Sequence, residues 1–192
     1  PIFGVVKDII ALDGKTVRGS KDGSIPPLHL VSAYATSLGL TLGQEGSAGK
    51  GNELKAVRAL LDTLVLDGCI VTLDALGCQT DIAATIVDKG GDYVLAVKAN
   101  QKTLSEALAE SFETGDTLGW GSADVQPQTT VEKDHGRIET RRAVLVVQID
   151  WLPDAIRKEW PTLGAVGMIE TTQEKGTTVS TDRRYFIMSR GV

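Results

Sequence analysis

Apolar residues in the first half of the chain follow two different periods, which predict strands and helices in a fixed order. The largely apolar segments 9–13, 69–76 and 92–99 are typical of buried strands. Residues 29–36 and 40–47 also have strand character and are separated by only three residues, which predicts an antiparallel meander with the first strand.

Helical periodicity separates the later strands. Apolar side chains three or four positions apart predict a helix from residue 52 to 64, with Asn52 as its N-cap and Glu53 near its positive end. Similar patterns predict helices over 80–89 and 103–112, the latter opened by a capping box from Thr103 to Glu106. Helices between strands imply parallel crossovers, so the fold class is α/β.

The sequence becomes more polar after residue 114. Polar residues with Gly, Pro and Gln over 115–130 predict a long loop, and three strand-like runs and one short helix follow, at 141–149, 164–171, 184–189 and 153–158. We therefore expect a core over 1–114, a β-rich insertion over 115–183, and a final core strand over 184–192. The chain starts at Pro1 and stops just after a strand-like run, so we expect a piece of a longer protein.

Composition narrows the function classes. The net charge of −5 argues against a surface that binds nucleic acid everywhere, although it allows a local basic face. No apolar stretch approaches the roughly 20 residues of a membrane helix, and no secretory signal is visible. Cys69 and Cys78 are expected to be reduced thiols in a cytoplasm.

Two glycine-containing segments resemble nucleotide-binding loops only partly. Gly14-Lys15-Thr16 lacks the earlier glycine of a P-loop, because Ile9 occupies that position. The segment 49–54 opens a helix, but Leu54 replaces the third glycine of a dinucleotide fingerprint. A turn followed by a helix cap explains the second segment as well, and we do not expect nucleotide binding.

A pair of aspartates, Asp13 and Asp74, ends two of the apolar runs. Carboxylates at the end of a buried strand need a cap, a cationic partner or a metal ion. If the two strands are neighbours, about 4.8 Å apart, both carboxylates can converge on one point, where a divalent cation would relieve their repulsion. Capping of the following turns is the competing interpretation.

The segment 134–142 holds three arginines, one histidine and two acids. On a strand, Arg137, Glu139 and Arg141 would share one face. A solvated edge that discourages aggregation and a phosphate-contacting arm both fit this composition.

Several ordered blocks resemble one known family. They are ALDGKTVRGS, HLVSAYAT, GNELKAVRALLDTL, IVTLDALGCQTDIAATIVDKGGDYVLAVKANQ, DHGRIETRR and RYFIMSR. Together they look like a bacterial insertion-sequence transposase of the DDE type, in the branch that includes the H-repeat-associated proteins. The resemblance implies a ribonuclease H-like core, a mixed five-stranded sheet with flanking helices, and a β-rich insertion.

The resemblance also implies a chemistry. Asp13 and Asp74 match the first two acids of the catalytic trio, and the cofactor would be Mg²⁺ or Mn²⁺ in a two-metal phosphoryl transfer. The third acid of the family lies on a helix beyond a strand resembling 184–189, and this chain ends first. Glu139 is a poor substitute because it falls in a β-region. We therefore expect this polypeptide to have little or no strand-transfer activity alone.

The implied partner is DNA, both the element ends and the target, with a possible homodimer on DNA and no membrane association. Gly14 is expected to let the backbone leave the strand beneath the metal site. The side chains expected to contact DNA or line the same edge are Lys15, Arg18, Lys98, Asn100, Gln101, Arg137, Arg141 and Arg142. A structure-specific nuclease or resolvase with this core, and a decayed DNA-binding remnant, are the alternatives. Localisation would be the bacterial cytoplasm, at the nucleoid when DNA is bound.

Overall fold

A computed structural model describes residues 7–20, 27–47, 52–120, 125–134, 137–190 and 192. The chain forms two compact units, one of Pro1–Leu95 with Gly191–Val192, and one of Ala96–Arg190. The proposed division into a core over 1–114, an insertion over 115–183 and a final strand stays a prediction. The architecture as a whole is mixed α/β, with helices and mixed β-structure.

The first unit is built on five strands in the order β3-β2-β1-β4-β5. Strands β1, β2 and β3 form the antiparallel meander, whereas β4 and β5 run parallel to β1. The strands are β1 Ile9–Thr16, β2 His29–Ala35, β3 Leu40–Ser47, β4 Ile70–Leu73 and β5 Asp92–Val97. The expected meander and the expected parallel pairing are both present.

Two helices accompany this sheet, α1 over Glu53–Thr63 and α2 over Thr80–Asp88. The apolar stripe that predicted α1 is buried, with Leu61 fully inaccessible to solvent. Burial of such leucines stabilises the unit, since each fully buried side chain contributes about 1.5–3 kcal/mol. Asn52 occupies the N-cap position of α1 as predicted, although its side chain makes no capping hydrogen bond.

The second unit contains a four-stranded antiparallel sheet in the order β9-β8-β7-β6, and two helices. Its elements are α3 Lys102–Leu118, β6 Val125–Asp134, β7 Arg137–Val146, α4 Asp154–Glu159, β8 Leu163–Lys175 and β9 Thr178–Ser189. A β-rich second part was predicted, but the strands are longer than the apolar runs that indicated them.

The predicted long loop over 115–130 is wrong. Helix α3 continues to Leu118, and β6 begins at Val125. A polar sequence misled the prediction because side-chain packing and ion pairs, rather than apolar periodicity, hold this end of α3. The Trp120 ring lies against Gly115 where a Cβ would otherwise stand, and it packs edge-on against Phe112 with 5.1 Å between ring centroids. No capping hydrogen bond from a side chain opens α3, so the expected capping box is also absent.

Among the described residues, no helix is both long enough and apolar enough to cross a membrane.

Candidate active site

The register of the central strands places Asp13 and Asp74 beside each other. Strands β1 and β4 are parallel, and Leu12 pairs with Leu73. Each aspartate is the next residue after a member of that pair, at the point where β4 ends and β1 continues along β2 to Thr16. Both leucines are buried, at 4% and 7% exposure, and the backbone at each aspartate stays extended. Side chains alternate along extended backbone, so both carboxylates lie on the sheet face opposite the leucines.

The Asp13 carboxylate is paired with Lys15. The Lys15 Nζ lies 2.8 Å from Asp13 Oδ2, and both side chains are exposed. The hydrogen bond and negative charge of Asp13, with a smaller effect from the charge of Asp74, raise the pKa of the Lys15 ammonium. One cationic group therefore responds to both aspartates, which supports a local concentration of negative charge at the ends of β1 and β4.

The Asp74 carboxylate also caps a turn. Its Oδ1 atom accepts hydrogen bonds from the backbone N–H of Leu76 at 3.0 Å and of Gly77 at 3.4 Å. These bonds open a short 3₁₀ turn over Ala75–Gly77, which explains why β4 ends at Leu73 rather than at 76 as predicted. The capping interpretation of Asp74 is thus correct in geometry, and it leaves a metal role open because both bonds go to one oxygen.

A polar cluster around the buried His29 lies on the other face of β1, and sequence reasoning missed it. His29 is 3% exposed, with its Nε2 3.0 Å from Glu53 Oε2 and its Nδ1 3.1 Å from the Thr16 hydroxyl. The Glu53 carboxylate occupies the space beside Gly14, where a Cβ would stand 2.1 Å from Oε1. Gly14 is therefore needed for this close approach. It does not end the strand as expected, because β1 continues to Thr16.

The donor set fits a hard divalent cation only in part. Carboxylate oxygens are the ligands that Mg²⁺ and Mn²⁺ prefer, and Mg²⁺ is commonly held by one or two carboxylates with waters and substrate phosphates. The Lys15 ammonium already stands at the Asp13 carboxylate as a positive charge. Within the ranges that the structure describes, no cluster of three or more His, Cys, Asp or Glu side chains could hold a metal ion.

Other residues expected at this edge have different locations. Arg18 is exposed in the turn after β1. Lys98, Asn100 and Gln101 follow β5 at the start of the second unit, so their place beside the aspartates stays a prediction. The glycine-rich segment's residues 49–51 lie outside the described residues.

Arg137 and Arg141 share one face of β7 with Glu139, as the strand alternation predicted. Glu139 is 6% exposed and forms ion pairs with both arginines, at 3.4 Å from Arg137 Nη2 and at contact distance from Arg141 Nη2. Gln173 Nε2 donates to Glu139 Oε2 at 3.1 Å. The guanidinium groups are half exposed and border an open polar cavity of about 560 Å³, which Arg184 also lines. Both arginines can therefore contact an anion in solvent.

Arg142 points to the opposite face and has an intramolecular role. It binds Asp116 on α3 through both guanidinium nitrogens, at 2.6 and 3.2 Å. Arg183 also contacts Asp116, at 3.1 Å, and Glu170, at 2.6 Å. We call these four residues the Asp116 network. Because both of its terminal nitrogens are bound to Asp116 and its side chain is less exposed than those of Arg137 and Arg141, Arg142 is the weakest of the expected DNA contacts.

A comparison with known protein families assigns the chain to one of them. Residues 5–185 match the family described as "Transposase DDE domain". The chain is a member of the DDE transposase family. The resemblance drawn from the sequence blocks, including its link to the H-repeat-associated branch, is confirmed.

Relatives of this DDE transposase-family chain include two bacterial proteins. A Xanthobacter autotrophicus protein, "Uncharacterized protein in dhlA 3'region", is 42% identical over 192 residues, covering 98% of this chain and 62% of the relative. The Escherichia coli K12 "H repeat-associated putative transposase YhhI" is 37% identical over 189 residues, covering 95% and 49%. This chain therefore spans about half to two thirds of the length of these relatives.

A solved structure, Streptomyces venezuelae DesVI, matches with a TM-score of 0.29 and 13% identity over 72% of this chain and 56% of that chain. A likeness this low supports no conclusion.

Proposed function

We propose that this chain supplies the central part of a bacterial DNA transposase that breaks and joins DNA by metal-dependent phosphoryl transfer in the cytoplasm. Membership of the DDE family gives the enzyme class. The strand order β3-β2-β1-β4-β5, with three antiparallel strands followed by parallel pairing, supports a ribonuclease H-like core. The DNA would be the element ends and the target, and the full-length protein could act as a dimer on them.

The observation that carries this proposal is the register of β1 and β4. Leu12 opposite Leu73 brings Asp13 and Asp74 to the same end and the same face of two adjacent strands. Family resemblance alone could not supply this geometry, and a shift of one residue would send one carboxylate to the other face. The shared influence of both aspartates on Lys15 supports the same convergence.

Each residue has a defined part in the proposed reaction. Asp13 and Asp74 would hold Mg²⁺ or Mn²⁺, which, when bound, stabilises the attacking and leaving oxygens of an in-line displacement at phosphorus. Lys15 and Arg18, exposed at the end of β1, would contact DNA phosphates. Lys98, Asn100 and Gln101 are proposed to contribute to the same edge.

Cation binding tests the site directly. Titration of the purified chain with Mn²⁺, followed by electron paramagnetic resonance of the free ion, should show weak binding that Asp13→Asn and Asp74→Asn each reduce at least tenfold. Asp81→Asn is the matched control, because it removes one exposed carboxylate on α2 that pairs with Arg58. Equal binding by all four proteins would refute the metal site and favour a decayed remnant.

Activity belongs to the longer protein. We expect the 192-residue chain alone to cleave little or no DNA, because the described residues offer only a pair of carboxylates at this point. A full-length relative should cleave element ends and join them to target DNA, and Asp74→Asn should abolish both steps. Cleaved but never joined products would indicate a nuclease or resolvase instead.

Arg137 and Arg141 are proposed to bind DNA phosphates from the second unit. Removing one phosphate-binding side chain should reduce the slope of log affinity against log salt by about 0.9. We expect Arg137→Gln and Arg141→Gln to flatten that slope, measured by fluorescence anisotropy of a labelled duplex. Arg157→Gln, which breaks an ion pair with Asp154 on α4, should leave it unchanged. An unchanged slope in all three variants would exclude the arginines as contacts.

A further inference from the structure

A cluster of the exposed Thr16, the half-buried Glu53 and the buried His29 lies on the face of β1 opposite the Asp13 side chain. Thr16 and His29 face each other across β1 and β2, and Glu53 is the first residue of α1. Three separate elements therefore meet at this cluster. Burying a histidine and a carboxylate is costly unless each has a partner. Neither the metal site nor the DNA contacts described above use these side chains.

The cluster lies against the backbone of β1 at Gly14. A Cβ at this position would stand 2.1 Å from Glu53 Oε1 and 2.8 Å from His29 Nε2. Side chains do not approach that closely, so the carboxylate and the imidazole fill the space that a side chain would take. Gly14 is covalently joined to Asp13, with about 3.8 Å between their Cα atoms. Because the Glu53 carboxylate packs this closely against Gly14, a movement of Glu53 toward β1 would push on the backbone next to Asp13.

Strand alternation excludes Glu53 as a third ligand beside Asp13. The side chain of Asp13 lies on one face of β1, and the Cβ direction of Gly14 lies on the other, where Glu53 and His29 are found. The Oε2 atom of Glu53 also lies within ion-pair distance of His29 Nε2, at 3.0 Å. The cluster can support the strand end from behind without entering the site.

We propose that Glu53, seated on His29 over Gly14, is a positioning residue that fixes Asp13 in register with Asp74 for cation binding. This inference rests on the proposed metal site. Supporting residues behind metal ligands commonly change affinity by about 10–100-fold when they are removed, because the ligand loses its orientation. The role differs from that of a core residue, since its effect appears in cation affinity while the protein remains folded.

Glu53→Asp is the decisive variant. It keeps the negative charge, so the electrostatic attraction of a nearby cation is retained, and it keeps an acid in the first turn of α1. The side chain is one methylene shorter, so it cannot span Gly14 to reach His29. We expect Mn²⁺ to bind this variant roughly tenfold more weakly than wild type. Glu45→Asp, the same change at an exposed position of β3, should bind like wild type.

Gly14→Ala tests the same contact from the other side. The added methyl collides with the Glu53 carboxylate and should weaken Mn²⁺ binding about as much as Glu53→Asp. In a Glu53→Ala background the collision with the carboxylate is gone and only His29 Nε2, at 2.8 Å, still crowds the methyl, so Gly14→Ala should cause a smaller loss than it does in wild type. Gly46→Ala is the control glycine, since the nearest atom, Leu28 Cδ1, is 4.0 Å from its added Cβ.

Far-ultraviolet circular dichroism must show that each variant is folded at the titration temperature. If Glu53→Asp does not fold, Thr16→Val decides, because it removes only the hydroxyl that contacts His29. It should weaken Mn²⁺ binding in the same direction. Unchanged Mn²⁺ affinity in the folded variants would overturn the positioning role alone. A wild type that binds no Mn²⁺ would overturn the proposed metal site together with it.

Discussion

Replacing Asp116 by asparagine should destabilise the second unit by about 2 kcal/mol. The side chain of Asp116 is 19% exposed, and it accepts three hydrogen bonds from Arg142 and Arg183, whose side chains are each 33% exposed. Removing one partner of a fully buried ion pair costs about 3–5 kcal/mol, whereas an exposed pair contributes about 0–1 kcal/mol. This half-shielded network lies between those limits, and Glu170 still neutralises Arg183 after the change.

The same network predicts a dependence on pH. The hydrogen bond from Arg142 is the main reason that the pKa of Asp116 lies below its ordinary value of 3.8. A carboxyl whose pKa is lower when folded stabilises the protein above its unfolded pKa, and that stabilisation is lost as the pH falls through the folded value. The difference between wild type and Asp116→Asn should therefore be complete at pH 7 and shrink below about pH 4.

Tryptophan fluorescence is a suitable assay because all three tryptophans, Trp120, Trp151 and Trp160, belong to the second unit. In thermal unfolding at pH 7, a loss of about 2 kcal/mol should lower the midpoint by roughly 10 °C for a unit of this size. Asp182→Asn, which breaks the exposed pair with Arg184, should shift it by less than about 2 °C. A shift for Asp116→Asn no larger than that of Asp182→Asn, or one that grows on acidification, would refute the reasoning.

Three further outcomes follow from local geometry. Gly115→Ala should lower the stability of the second unit by about 1–3 kcal/mol in denaturant titration, because the new Cβ would stand 2.3 Å from Trp120 Cε2; a neutral result would contradict this packing. Lys15→Met should strengthen Mn²⁺ binding, because the ammonium that competes for Asp13 is gone, and weaker binding in the titration would exclude that competition. Burial raises the pKa of the Cys78 thiol to about 12, so iodoacetamide at pH 8 should label it only after unfolding, as measured by mass spectrometry.

The elements of the first unit could be predicted because local pattern and burial agree there. In β1 and α1 the apolar residues that predicted the element are largely the ones that the fold buries, and the short turn between β2 and β3 is visible in the sequence itself. Parallel pairing followed from the helices between strands. The end of β4 could not be predicted, because Asp74 starts a turn after Leu73 by accepting backbone hydrogen bonds, and an apolar run continues past that point.

The second unit was predicted less well for a related reason. Strands β6 and β9 carry mostly exposed polar side chains and pair through backbone hydrogen bonds, so they lack the apolar alternation that identifies a strand. The last turn of α3 depends on Asp116 reaching arginines that lie far along the sequence. Contacts of that kind have no local signature.

At the candidate site, the two aspartates could be predicted from the sequence, whereas the residues that surround them could be identified only from the structure. Glu53 was explained by the helix dipole, and His29 by its place in a strand-like run, so neither suggested the other. The available signal was a glycine directly after a strand carboxylate, since a glycine inside a strand often marks close approach by another group. Its contact with residues on two other elements needed coordinates.

The parallel pairing of β1 with β4 has a consequence for synthesis of the protein on the ribosome. Asp13 and Asp74 are about 60 residues apart in sequence, and the meander and α1 lie between them. A nascent chain that has exposed only its first 60 or so residues can form the β1-β2-β3 hairpins, but it does not yet contain Asp74. Asp13 and Asp74 thus come together only when β4 pairs with β1, so the proposed cation binding would depend on completion of the sheet rather than on any local segment.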